Sequence, residues 1–135
     1  MATSVFTDAS VTINSVDLSD HVKSVSLNYS AENPGDTNMG DTTQIGIGGL
    51  FNWSIDVEFS QDYAAAKVDA TLFSLVGSTT TVVLLPTSSA VSATNPSFTG
   101  TGLVETYSGL QGAVGDLAIA TLNITSAGTL VRATS

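Results

Sequence analysis

The chain has 135 residues, 42% of them hydrophobic, and its twelve acidic and three basic residues give a formal net charge of −9. A chain of this length is expected to form a single domain, residues 1–135. The absence of cysteine from the sequence excludes disulfides, thiolate nucleophiles and cysteine zinc sites, and the strong acidity excludes nucleic-acid binding through clustered lysine and arginine.

The first part of the sequence predicts strands followed by a long irregular segment. Residues 11–18 are typical of a short hairpin that turns at Asn14, because asparagine tolerates the positive φ of such turns. Residues 23–29 alternate strictly between apolar and polar side chains, which indicates a strand with two unlike faces. Residues 30–49 show no periodicity. A structureless loop of about 20 residues is unusual in a compact domain and is commonly functional or disordered.

The middle of the sequence predicts the clearest strand and the only convincing helix. In residues 51–59 apolar and polar side chains alternate, so one face is expected to join the core and the other to be wet. In residues 62–76 apolar side chains recur at helical spacing, with Ser60 or Asp62 suited to the N-cap and Gly77 to the C-terminal end.

The last third of the sequence predicts further strands, at residues 79–85, 98–107, 117–125 and 129–133, with a glycine-rich turn over 108–115. Gly100 and Gly102 indicate a bulge or a close backbone approach. These elements together predict a mainly β protein: an antiparallel β-sandwich or partly open barrel with one flanking α-helix and a long early loop.

Residue clusters that could carry chemistry are few, and each has a plainer structural explanation. His21 follows Ser19 and Asp20, but the strand end around it has no nucleophile elbow. Asp56 and Glu58 point the same way from one strand without the aromatic residues of a sugar cleft. Residues 36–41 offer oxygen ligands without the EF-hand pattern, which leaves a weak calcium site open. No catalytic, cofactor-binding or metal-binding residue is predicted.

Five segments in this order, covering the chain nearly end to end, resemble the bacteriophage major tail (tail tube) proteins of long-tailed phages and related gene transfer agents. The segments are residues 16–25, 39–43, 49–59 with the helix at 62–76, 92–98 and 128–133. The resemblance rests on their combination. It implies a β-sandwich or partly open barrel whose copies form six-membered rings, with a long loop that reaches the next ring and builds a tube.

The resemblance gives each unusual feature of the sequence an expected role. The early loop is expected to be the inter-ring arm, with Glu32, Asp36, Met39, Asp41, Ile45 and Ile47. The polar strand faces are the candidates for the lumen wall: Ser24, Ser26, Asn28, Ser54, Asp56, Glu58, Thr121, Asn123 and Thr125. Such an acidic wall repels the DNA backbone, which favours passage without specific binding.

The expected partners are further copies of the chain together with tape measure, tail terminator and baseplate proteins, and the expected location is the virion after assembly in the host cytoplasm. No membrane partner is expected, because no apolar run approaches the ~20 residues that span a bilayer. Two other functions fit the same composition: a capsid decoration protein or other virion surface module, and a small-molecule-binding β-barrel. An enzyme is not expected.

Overall fold

The computed structural model describes residue 3 and residues 5–135, and most of its regular structure is strand. The strands are β1 (Ser10–Ile13), β2 (Val16–Asp17), β3 (Val22–Ala31), β4 (Phe51–Ser60), β5 (Thr79–Leu85), β6 (Ser97–Gln111), β7 (Ile119–Ser126) and β8 (Val131–Ala133). The helix α1 (Val68–Leu72) continues into a 3₁₀ turn, Phe73–Leu75, and a second 3₁₀ turn, Ser19–His21, precedes β3.

All eight strands belong to one antiparallel sheet in the order β2-β1-β5-β6-β7-β4-β3, with β8 paired to the start of β6. The long strand β6 connects the two halves of the sheet, because residues 98–103 pair with β5 and residues 102–111 pair with β7. Within the described residues the sheet is not closed into a barrel. The predicted mainly β, antiparallel architecture with a flanking helix and a long early loop is confirmed.

The core fills the inside of this curled sheet and is almost entirely apolar. Its central side chains come from alternate positions of β4 and β7 and from α1, which closes one side: Trp53, Ile55, Val57, Phe59, Leu122, Ile124, Val68 and Leu72. The indole of Trp53 donates a hydrogen bond of 2.9 Å to the carbonyl of Gly128. A Cβ atom at Gly100 would lie 2.8 Å from this ring, so the predicted close backbone approach is confirmed there.

The hairpin is confirmed, whereas the helix is much shorter than predicted. Asn14 and Ser15 both have positive φ, at 52° and 66°, as the two-residue turn between β1 and β2 requires. Residues 62–67 are not helical. The Asp62 carboxylate accepts the Ala64 backbone N–H at 2.9 Å, and Ala66 has a φ of 60°, a left-handed conformation that interrupts a helix. The helix therefore begins at Val68 with no side-chain cap, and Gly77 follows it with the expected positive φ.

A second correction concerns the predicted glycine-rich turn at residues 108–115. Strand β6 runs on to Gln111, and the turn occupies only the residues between β6 and β7. Over residue 3 and residues 5–135, no helix is both long and apolar enough to cross a membrane.

Candidate assembly surfaces

The polar strand residues predicted as lumen wall lie together on one face of the sheet, the face turned away from the core. Strand register brings them into rows that cross β3, β4, β7 and β6: Ser24, Glu58, Thr121 and Ser108 form one row, Ser26, Asp56, Asn123 and Thr106 the next, and Asn28, Ser54 and Thr125 the third. All eleven side chains are exposed or half-buried. We call this surface the polar face.

The carboxylates of the polar face stand on its middle strand. The Asn123 side-chain amide donates a hydrogen bond of 2.6 Å to the Asp56 carboxylate, and Glu58 lies two residues further along β4. The side-chain amide of Gln111 likewise bonds the Thr121 hydroxyl at 2.9 Å. Hydroxyl and amide groups thus surround two acidic residues, and this composition gives the face a negative potential without a basic group to hold an anion.

Thr106 and Ser108 belong to the polar face but were missed by the sequence analysis. The pairing of β6 with β7 shifts between Val104 and Thr106 and again between Ser108 and Gln111. Each shift inserts an extra residue, so the apolar and polar positions of β6 no longer alternate. Thr106 and Ser108 are identified as polar-face residues by their pairing with Asn123 and Thr121, and this pairing is known only from the folded structure.

The four strands that carry the polar face form a layer with an unpaired edge on either side. In the described part of the chain, β3 pairs only with β4, so its outer edge is open over Val22–Ala31. Strand β5 pairs with β6 only as far as Leu103, and the Val104 backbone is held by residues 77 and 78. The Gly109 carbonyl accepts hydrogen bonds from the side chains of Gln61 and Tyr63. Residues 105–108 therefore present the second open edge.

The arm, residues 32–50, joins β3 to β4 and is an extended hairpin rather than the structureless loop predicted for 30–49. Its two legs are linked by backbone hydrogen bonds: the Glu32 N–H donates to Leu50 at 2.8 Å, and the Asp36 N–H donates to Ile45 at 2.8 Å. The side-chain oxygen of Asn33 adds a further link by accepting the Ile47 N–H at 3.0 Å. Polar side chains thus replace part of a strand ladder, which explains why no periodic pattern predicts it.

Every residue from 31 to 50 is exposed, and the backbone hydrogen bonds described for residues 32–50 run between residues of the arm itself. Met39 is fully exposed, and Ile45 and Ile47 are 44% and 50% exposed. At the tip, the Asp41 carboxylate accepts the Asn38 N–H at 2.8 Å. Within the described residues no group of three or more histidine, cysteine, aspartate or glutamate side chains is placed to hold a metal ion, so the calcium site considered for 36–41 gains no support.

The base of the arm carries apolar residues that the sequence analysis did not single out. The rings of Tyr29 and Phe51 stack with their centroids 5.6 Å apart, yet these side chains remain 53% and 69% exposed. Leu50 beside them is 76% exposed. Apolar side chains are therefore exposed both at the base of the arm and on its legs, and clustered apolar exposure of this kind on a monomer marks an interaction surface.

The arm and the helix lie at opposite ends of the strands. The 3₁₀ turn at the start of β3 is adjacent to the segment that leads into α1, with His21 Nε2 3.3 Å from the Asp62 carboxylate. From there β3 runs ten residues to the arm. The arm consequently leaves the sheet at the end of the strands opposite to α1.

No protein-family model and no curated protein matches the sequence, whereas several solved structures share its fold. The virion of a native gene transfer agent particle contains a chain that is 14% identical, with 93% of this chain and 95% of that chain covered and a TM-score of 0.74. A chain in the tail of an empty gene transfer agent particle, with C6 symmetry, is 16% identical, with 82% of this chain and 81% of that chain covered and a TM-score of 0.66. The SPP1 tail tube protein is 9% identical, with 95% of this chain and 77% of that chain covered and a TM-score of 0.72. The chain therefore has the fold of tail tube proteins.

Proposed function

We propose that this chain is a structural virion protein that polymerises as stacked hexameric rings into the hollow tail tube through which DNA passes. The observation that carries the proposal is the four-stranded layer, which has a polar face throughout and an open edge on either side. A long unprotected edge strand is a template for pairing with another chain. The likeness to solved tail structures supports the same function.

The directions of the two open edges favour a ring. Because successive strands of the layer are antiparallel, β6 runs with β4 and against β3. The β3 edge of one copy can therefore form an antiparallel ladder with the β6 edge of the next. The two edges are different surfaces, so the contact is head-to-tail, and a head-to-tail contact that closes on itself generates a ring.

Ring closure would turn the polar face into the wall of a channel. Six copies would contribute four strands each, and at about 4.8 Å per strand the barrel would be roughly 37 Å across, measured between backbones and without strand tilt. Side chains about 5 Å deep on each wall leave a channel of roughly 27 Å. Asp56 and Glu58 would give the channel rings of negative charge, which repel the DNA backbone and favour passage over binding.

The arm is the proposed contact between rings. It leaves the sheet at the end of the strands opposite to α1, and its apolar residues are exposed in the described copy. Burial of Met39, Ile45 and Ile47 against the next ring would remove this apolar surface from water. Terminal rings would contact tape measure, tail terminator and baseplate proteins, with assembly in the host cytoplasm, and the function is structural rather than enzymatic.

Negative-stain electron microscopy of the purified protein, concentrated at moderate salt, tests the proposal. Six-fold rings or hollow tubes with a channel near the estimated width are expected. Moderate salt is needed because six copies at −9 each carry a formal charge of −54 per ring, and screening weakens their repulsion. If the protein instead stays dispersed as single copies and binds preformed capsids, the tube proposal is wrong and the protein is a capsid decoration protein.

A further inference from the structure

A preformed apolar groove lies on the core side of β6, beside its open edge. The groove is lined by Tyr63, Phe73 and Leu110, which are 57%, 73% and 89% exposed, and its volume is about 420 Å³. Tyr107 forms the floor. It is on the core side of the layer because it pairs with the buried Leu122.

Hydrogen bonds hold the groove in shape without a ligand. The Tyr63 hydroxyl donates to the Gly109 carbonyl at 2.8 Å, and the Tyr107 hydroxyl donates to the Asp69 carboxylate at 2.9 Å. The Gln61 side-chain amide bonds both the Tyr107 hydroxyl and the Gly109 carbonyl. A groove fixed in this way binds without a large loss of side-chain entropy.

Exposed apolar side chains also lie beside the other open edge, in the segment before β1. Val5 and Phe6 are 84% and 64% exposed. Phe6 lines cavities together with Val25, which pairs with the buried Val57, so Phe6 is on the core side of β3. The hydrogen bond from the Ser88 hydroxyl to the Asp8 carboxylate, at 2.8 Å, ties this segment to the loop after β5.

The sheet register places these two apolar sites at the same level. Ser24 of β3 and Ser108 of β6 are the ends of one row across the layer. Phe6 lies beside residues 22–25, and the groove lies beside residues 107–110. A neighbouring copy whose strands continue this row would therefore bring its Phe6 next to the groove.

Charged side chains lie beside both sites. Lys23, one of only three basic residues in the chain, lines the same cavity as Phe6 together with Asp8, whose carboxylate accepts the Ser88 hydroxyl, whereas Asp69 lines the groove. The arm is a less suitable occupant within one ring, because it projects from the other end of the strands. A basic group beside one site and an acidic group beside the other favour their contact over contact between like sites.

We propose that the groove of Tyr63, Phe73 and Leu110 binds Val5 and Phe6 of a second copy of this chain, so that each ring contact combines a strand ladder with an apolar anchor. This inference rests on the proposed function, because the ladder between β3 and β6 sets the register. The anchor explains why the apolar residues on both sides remain exposed in a single copy.

Cysteine cross-linking tests the anchor directly, because the chain contains no cysteine of its own. Copies with Phe6→Cys are mixed with copies carrying Leu110→Cys, assembled, and oxidised. Positions 6 and 110, and position 39 used for the control below, are exposed, so folding is retained. Since a disulfide forms only when the Cα atoms lie within about 7 Å, an intermolecular dimer is expected from this mixture. The matched control mixes Met39→Cys with Leu110→Cys.

The outcomes separate the anchor from the tube. A dimer from positions 6 and 110, and none from 39 and 110, supports the anchor. A dimer only from positions 39 and 110 means that the arm of the next ring occupies the groove, which overturns the anchor and leaves the tube intact. Rings that form but give neither cross-linked dimer would overturn the anchor and leave the proposed tube function intact. Unsubstituted protein that forms neither rings nor tubes overturns the proposed function and the anchor together.

Discussion

Charging the arm should abolish ring stacking while leaving the single copy folded. The changes are Ile45→Asp and Ile47→Asp, made singly. Both side chains lie on the exposed legs of the arm, and the hydrogen bonds that link the legs at these positions use the backbone N–H or carbonyl of each residue, which substitution retains. Surface substitutions of this kind usually change the free energy of unfolding by less than about 0.5 kcal/mol.

The expected loss of stacking follows from the exposed area. Full burial of an isoleucine side chain contributes about 2 kcal/mol, and Ile45 and Ile47 have roughly half of their surface left to bury, so each contributes about 1 kcal/mol per arm. In the proposed six-membered ring, six arms would join one ring to the next, which makes about 6 kcal/mol for each ring added. At 1.4 kcal/mol per tenfold change, the equilibrium constant for stacking should fall by about 10⁴. Burial of the new carboxylate adds to this loss.

The assay combines sedimentation velocity, which measures the fraction in tubes, with urea unfolding of the dispersed protein. Gln44→Asp is the matched control, because it adds the same charge to the same leg without removing an apolar side chain. We expect tubes from the control and only single copies or single rings from the isoleucine variants. Tubes of normal length from Ile45→Asp and Ile47→Asp would refute the role of the arm, and a large drop in unfolding free energy would show that these residues belong to the core.

Three further predictions concern the fold that supports these surfaces. Val57→Asp should unfold the single copy, because Val57 is 3% exposed and an unpaired buried charge costs several kcal/mol; a cooperative urea transition near that of the unsubstituted protein would contradict its core position. Gly102→Ala should lower the unfolding free energy by about 1–3 kcal/mol, because its Cβ would clash with Ile124 and lie 3.1 Å from the Trp53 ring, and an unchanged urea midpoint would contradict this packing. Burial raises the pKa of Tyr107 to about 12, so the folded state favours the neutral phenol. The contribution of Tyr107 to the free energy of unfolding should be complete below about pH 10 and should be lost as the pH rises to 12. In urea unfolding at several pH values, the difference in unfolding free energy between the unsubstituted protein and Tyr107→Phe should therefore shrink over this window. A difference that stays constant would contradict the raised pKa of Tyr107.

Alternation predicted the parts of the sheet in which strands pair without interruption. Strands β3, β4 and β7 keep their register over the polar face, so the faces read from residues 23–29 and 51–59 are those observed. Strand β6 could not be predicted as well, because two bulges shift Glu105 and residues 109–110 out of the period. Thr106 and Ser108, two of the eleven residues of the polar face, were not predicted for this reason.

The true start of the helix and the position of the groove could not be predicted, because both are set by contacts that do not appear in the local sequence pattern. The apolar spacing of residues 62–76 is helical, but the Asp62 side chain and the left-handed Ala66 form a turn that delays the helix to Val68. The groove brings together Tyr63, Phe73 and Leu110, which the chain separates by up to 47 positions. Their proximity arises from the bond between Tyr63 and Gly109, a tertiary contact between the α1 segment and β6.

The open edges and the arm lie at different places in the fold, and they would have different consequences in the proposed assembly. The open edges of β3 and β6 lie at the sides of the sheet, so pairing between them would turn each copy relative to the last and would end when the proposed ring closes. The arm lies at one end of the strands and differs from the surface proposed to receive it, so stacking would also be head-to-tail but would add each ring along the axis of the tube. A contact of that kind always leaves a free arm at one end and a free receiving surface at the other. In the proposed tube, the chain would thus limit the width of the assembly but not its length, and a tube of defined length would require a second protein as the measure.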